Sequence, residues 1–95
     1  MRFVWSFQKA EANRAKHGVT FEEASTVFGD PLAATIPDPE HSQDEARSVT
    51  MGHSVNGILL VVVHADHGEE IRLISARRAT AGEKKKYEAG EKKRT

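Results

Sequence analysis

The spacing of apolar positions changes along the chain, and each change marks an element. Arg2 to Trp5 is rich in aromatic and β-branched residues and reads as a short strand. A helix is predicted from about Phe7 to His17, built from Gln8, Lys9, Ala10, Glu11, Ala12, Arg14, Ala15 and Lys16, with Ser6 as its N-cap. Gly18 is placed to stop it in the left-handed conformation, with Val19 giving the apolar contact just beyond. Thr20 and Glu23 form a capping box for a second helix, about Phe21 to Phe28, whose Phe21, Ala24, Val27 and Phe28 share one face. Gly29-Asp30-Pro31 ends it.

Strands dominate the chain from residue 32 to residue 76. Leu32 to Ile36 is a strand candidate, and Pro37 to Ala46 reads as a polar loop. Arg47 to Ser54 reads as a strand, Val55-Asn56-Gly57 as a turn, and Ile58 to Ala65 as a central strand that is apolar on both faces. Asp66-His67-Gly68 is a second turn before a strand from Glu70 to Ala76, so three strands form an antiparallel meander. Thr80 and Glu83 make another capping box for a final lysine-rich helix. The order β-α-α-β-β-β-β-α predicts an α+β fold, an antiparallel sheet flanked by helices. Residues 1–90 are expected to form a single domain, with residues 91–95 as a flexible basic tail.

Charge changes this picture more than composition does. The chain has 95 residues and a formal net charge of zero. From residue 71 onward, however, nine basic residues stand against three acidic ones, whereas the first 70 hold five basic and eleven acidic. The molecule is therefore dipolar, and a positive patch beside a strand end suits a polyanion, because lysine and arginine displace condensed counterions. There is no cysteine, so neither a disulfide framework nor thiolate chemistry is expected, and a reducing cytoplasm suits the chain. The first residues do not read as a signal peptide, and the apolar run Ile58 to Val63 is too short to span a bilayer.

Several groups are candidates for chemistry. Arg77 and Arg78 sit where the last strand meets the last helix, and alternation sends them to opposite faces. They either grip phosphate, which the guanidinium fork matches, or make cap and salt-bridge contacts. Glu45 and Arg47 are an acid–base group with an electrostatic clamp, or an exposed ion pair. Lys9, Asn13, Lys16 and His17 form a stripe on the first helix that either faces RNA or is an ordinary solvated face. Lys84, Lys85 and Lys86 nearly encircle a helical turn and either solubilise it or touch phosphate. The five histidines show no zinc-ligand spacing, and no metal or cofactor is expected. His41 and Ser42, near Asp38, lack the nucleophile elbow of a hydrolase.

Taken together, certain blocks are specific. Phe3-x-Trp5, Lys9, Asn13, Lys16-His17-Gly18-Val19-Thr20-Phe21-Glu22-Glu23-Ala24, Val27-Phe28-x-Asp30-Pro31, His41-Ser42, Glu45-x-Arg47, Gly52 and Ile74-Ser75-Ala76-Arg77-Arg78-Ala79 with Glu83 and Tyr87 resemble the BrnT family of type II toxins. The resemblance runs from about residue 3 to 88. It implies a RelE-like fold and a ribonuclease that halts growth by cleaving RNA. It also implies neutralisation by a BrnA-like antitoxin with a ribbon-helix-helix DNA-binding part, in a complex of two toxins and two antitoxins that represses its own operon.

On that resemblance, the expected chemistry is metal-independent attack of a ribose 2′-OH on the adjacent phosphate. Arg47 and Arg77 are expected as the clamp, and His17 or Glu45 as the acid–base group. Lys9, Lys16, Arg78 and Lys84 would hold flanking RNA phosphates. The competing expectations are a non-catalytic antitoxin-binding module, such as a decayed toxin acting as a co-repressor, and a free-standing nucleic-acid-binding protein.

Overall fold

A five-stranded sheet organises the computed structural model, which describes residues 1–38 and 45–94. The elements are β1 (Arg2–Val4), α1 (Phe7–His17), α2 (Phe21–Ser25) continued by a 3-10 turn (Thr26–Gly29), β2 (Ala34–Pro37), β3 (Arg47–His53), β4 (Leu59–His67), β5 (Glu70–Arg78) and α3 (Ala81–Arg94). The strand order is β1-β5-β4-β3-β2. The meander of β3, β4 and β5 is as the sequence predicts, and β2 adds to it antiparallel. His41, Ser42 and most of the expected polar loop fall outside the described residues, as do the side chains from Glu91 onward.

Local chemistry explains where the elements begin and end. Ser6 Oγ accepts the Lys9 N–H at 3.0 Å, and Gly18 closes α1 at φ 69°, donating its N–H to Arg14. A side chain at that φ would be strained, which is why glycine stands there. The second helix is shorter than expected. Ser25 and Thr26 hydroxyls donate back to the carbonyls of Glu22 and Glu23 at 2.7 and 2.6 Å, and the turn tightens to 3-10. The capping box at Thr20 is half made: Thr20 Oγ1 accepts the Glu23 N–H, while the Glu23 carboxylate accepts from Ser54 Oγ at 2.7 Å. The box at Thr80 and Glu83 is complete in both directions. The backbone of α3 runs through Gly90 to Arg94, beyond the sequence expectation, because good helix formers surround that one glycine.

One sheet face holds the core. Leu60 and Val62 of β4 meet Ile71, Leu73 and Ala76 of β5, and Val19, Phe21, Ala24 and Val27 cover them. Trp5 packs edge-on against Phe21 at 5.9 Å between ring centroids, and Phe3 packs on Phe28 at 5.1 Å. A polar chain threads this core. His64, only 1% exposed, bonds Thr50 Oγ1 through Nε2 at 2.7 Å and Asp66 through Nδ1 at 2.6 Å, and Thr50 bonds Thr35 at 2.7 Å. Its ring also meets Phe28 edge-on.

The sheet's edges are finished by side chains. β1 runs parallel to β5 but spans only Glu70 to Arg72, which the sequence did not reveal. Further along, Asn13 of α1 covers the open edge of β5, accepting the Ala76 N–H at 3.0 Å and donating to the Ala76 carbonyl at 2.9 Å. Its amide also donates to the Val19 carbonyl. Asp30 does the same for β3, where β2 has ended, by accepting the His53 N–H at 2.8 Å. Pro37 in β2 removes one outward donor from the remaining edge.

Gly52 is the tightest point on β3. A Cβ there would lie 2.8 Å from Ala33 Cβ and 3.0 Å from Val27 Cγ1. Gly52→Ala is therefore expected to destabilise the fold by about 1–3 kcal/mol in chemical unfolding; an unchanged midpoint would show that β2 and the 3-10 turn yield freely.

Candidate nucleic-acid interface

The sheet face away from the core carries the candidate chemistry. Register places Arg47, Ala65 and Arg72 side by side across β3, β4 and β5, and places Arg77 beside Val61 on the same face. Val49, Met51, Val63 and Ile74 between them are half-exposed, whereas Leu59, Val61 and Ala65 of the central strand are covered on this face too. One irregularity makes this alignment. Val63 pairs with Ser75 and His64 with Leu73, so Ile74 is an extra residue in β5. Residues 72 and 77 are an odd number apart, and strict alternation would put them on opposite faces; the bulge restores them to one. The separation of Arg77 and Arg78 onto two faces agrees with the sequence expectation, since Arg78 pairs with Leu60.

Glu45 gathers two arginines and a histidine at one end of this face. Its Oε1 is bound by Arg72 and lies 4.0 Å from Arg47 Nε, while Oε2 bonds His67 Nε2 at 3.0 Å. Of the sequence candidates Glu45 and Arg47 are therefore neighbours. Arg72 and His67 complete the group, and sequence reasoning did not name them as site residues. The signal for Arg72 lay in the pairing of three strands, which spacing along one strand does not contain.

Arg77 stands apart from that group. It is four residues along β4 from the Arg47 rung, about 13 Å at strand rise. Its guanidinium grips Glu83 of α3 with both terminal nitrogens, at 2.8 and 2.9 Å, and also donates to the Arg78 carbonyl. The bidentate bond to Arg77 and the Thr80 N–H hold the Glu83 carboxyl down at about 2, against an ordinary 4.5. The same bond pushes Arg77 up. A carboxyl lowered on folding adds stability above its unfolded value and loses it as pH falls. Glu83→Gln is thus expected to abolish a loss of melting temperature between pH 4.5 and about 2. Identical pH profiles for the two proteins would show that this partly exposed pair adds nothing.

The other candidates lie along α1 and α3. Lys9, Lys16 and His17 line a shallow groove of about 220 Å³ whose far wall is Ile74 and Ser75. The groove therefore adjoins the arginine-bearing face at the β5 bulge. Asn13 corrects the expected stripe: it lies at the bottom, buried, with its amide committed to Ala76 and Val19 rather than turned to solvent or RNA. Lys9 and Lys16 are exposed and His17 half-buried. Lys84 is exposed on the first turn of α3, one residue beyond Glu83.

Tyr87 fixes α3 to the sheet. Its hydroxyl donates to Asp30 at 2.8 Å and its ring meets His53 edge-on at 5.2 Å. Burial pushes the Asp30 carboxyl up, but the N–H groups of His53 and Leu32 and the Tyr87 hydroxyl outweigh it and hold the group below its ordinary value. Among the described residues no cluster of three histidine or acidic side chains is arranged to hold a metal ion, and no helix is long and apolar enough to cross a membrane.

A solved toxin structure shares this architecture. The crystal structure of the Brucella abortus ribonuclease toxin BrnT superposes with a TM-score of 0.67 at 25% identity, over 84% of this chain and 97% of that one. A search of curated proteins returns no match. Residues 5–83 match the family described as the ribonuclease toxin, BrnT, of type II toxin–antitoxin systems. That span takes in the α1 stripe, Glu45, Arg47, Arg72, Arg77 and Glu83, and the chain belongs to the BrnT family of ribonuclease toxins.

Proposed function

We propose that this chain is a metal-independent endoribonuclease that lays a single RNA strand across the open sheet face and stops growth by cutting it. The observation that carries the reading is the row of three strand arginines, Arg47, Arg72 and Arg77, on one half-exposed face, with the lysine-lined α1 groove beside it. Arginine rungs supply fixed positive charge where a phosphorane develops. Lys9, Lys16 and Lys84 serve flanking phosphates, with Arg78 reaching the RNA only past the end of β5, while Arg47 and Arg77, about 13 Å apart along β4, serve separate positions of one strand. The 2′-oxygen attacks phosphorus, O5′ leaves, and His17 or Glu45 moves the proton.

The cognate inhibitor in this reading is a BrnA-like antitoxin with a ribbon-helix-helix DNA-binding part. It covers the basic face in a complex of two toxins and two antitoxins, inside the cytoplasm, and operator DNA is reached only through it. One observation favours a second reading, a non-catalytic module that binds antitoxin and co-represses: the Arg77 fork is closed on Glu83.

Purified chain mixed with unstructured RNA is expected to release fragments ending in 2′,3′-cyclic phosphate, at a rate that excess chelator does not change. Intact RNA would support the second reading, and cleavage abolished by chelator would refute metal independence.

A further inference from the structure

Building on the ribonuclease reading, we infer that His67 is the general acid that protonates the leaving 5′-oxygen, with Glu45 as the residue that holds its ring.

Three observations converge on it. First, His67 lies on the same face of β4 as Ala65, two residues along and so about 7 Å from the rung where Arg47 and Arg72 flank that alanine. Ala65 itself is wholly covered, and the partly exposed guanidinium groups of Arg47 and Arg72 on either side of it are what a phosphodiester lying on this rung would meet. Glu45 engages one terminal nitrogen of Arg72, and a guanidinium carries five N–H donors, so a phosphate and Glu45 can share it. Second, an ionised carboxylate only accepts, so in the 3.0 Å bond to Glu45 Oε2 the hydrogen sits on His67 Nε2. The bond fixes the ring and leaves Nδ1 as the nitrogen that exchanges a proton with substrate. Third, the side chain is 55% exposed, open to RNA, in contrast to His64, whose two nitrogens are committed inside the core.

The same contacts argue against Glu45 as the proton carrier. Arg72 and Arg47 crowd its Oε1 and His67 occupies Oε2, an arrangement suited to holding neighbours. His17 lies against Ile74 and Ser75, toward the opposite end of β4 from His67, and takes no part in protonating the leaving oxygen. The step then balances without a co-reactant. The O2′–P bond forms and the P–O5′ bond breaks. The 2′ proton passes to solvent and the Nδ1 proton of His67 passes to O5′, and the products are a cyclic phosphate and a 5′-hydroxyl.

The test compares native chain with His67→Asn on two RNAs of one sequence. One carries an ordinary linkage at the cut site. The other has sulfur in place of the leaving 5′-oxygen, and a thiolate departs without being protonated. On ordinary RNA the variant is expected to lose about 10²-fold or more in single-turnover cleavage rate while binding RNA as the native chain does. On the sulfur-bridged RNA the two proteins should cleave equally fast. Equal rates on ordinary RNA, or the same loss on both substrates, would overturn the assignment and leave the ribonuclease reading standing. A native chain that cuts neither RNA would overturn both.

Discussion

Asn13→Ala is expected to cost the fold about 3–5 kcal/mol, a large share of the stability of a domain this small. The asparagine side chain is 6 residues from Val19 and 63 from Ala76 in sequence, and it bonds both. Truncation would strand the N–H and C=O of Ala76 and the carbonyl of Val19 in a buried site, where each lost partner costs more than the bond contributed. The edge of β5 would also open where β1 no longer covers it. Urea unfolding measures the effect, and Asn13→Asp separates its parts, since a carboxylate can still accept from Ala76 N–H but cannot donate. A loss below about 1 kcal/mol for Asn13→Ala would mean that water replaces the amide and that α1 is not what closes the edge.

Arg47→Ala carries the largest expected effect on activity. Removing a preoriented cation from a site of developing negative charge costs about 2–4 kcal/mol of transition-state stabilisation, or roughly 10²–10³ in rate. Arg72→Ala is expected to match it, because the two flank the same alanine and both lie against Glu45. Being neighbours, they should not act additively: the double variant is expected to lose less than the product of the two single losses. Arg77→Ala should also weaken α3, since it breaks the bond to Glu83, so its effect on cleavage must be read beside its melting temperature.

Much of this architecture is legible along the chain because its signals are local. Ser6, Gly18 and Thr20 set helix boundaries by caps that act within four residues, and the doubly apolar run of β4 identifies the central strand without any partner being known. What escapes the sequence depends on distant pairing. The parallel seat of β1 on β5 has no local pattern, and the bulge at Ile74 shows only in register. Asn13 sits on the same helical stripe as Lys9 and Lys16, so polarity alone groups it with them. Its burial follows from the edge it closes. An asparagine in the middle of an alanine-rich helix is unfavourable on propensity, and that cost is the sequence hint that it bonds elsewhere.

The candidate site divides in the same way. Glu45 and Arg47 are near in sequence and are found together, whereas Arg72 and His67 join them through three strands. Arg77, the most prominent basic residue on sequence grounds, is instead engaged by α3. The weight of the site moves toward the Arg47–Ala65–Arg72 rung.

Growth of bacteria after induction of the native chain, beside an Arg47→Ala chain and with total RNA followed over time, tests the toxin and its site most directly. Arrest with RNA decay for the native chain, and continued growth for an Arg47→Ala chain of equal abundance and melting temperature, is the predicted result. Arrest by both chains with the same RNA decay would contradict the placement of the site, and growth unaffected by a folded native chain would contradict the toxin itself.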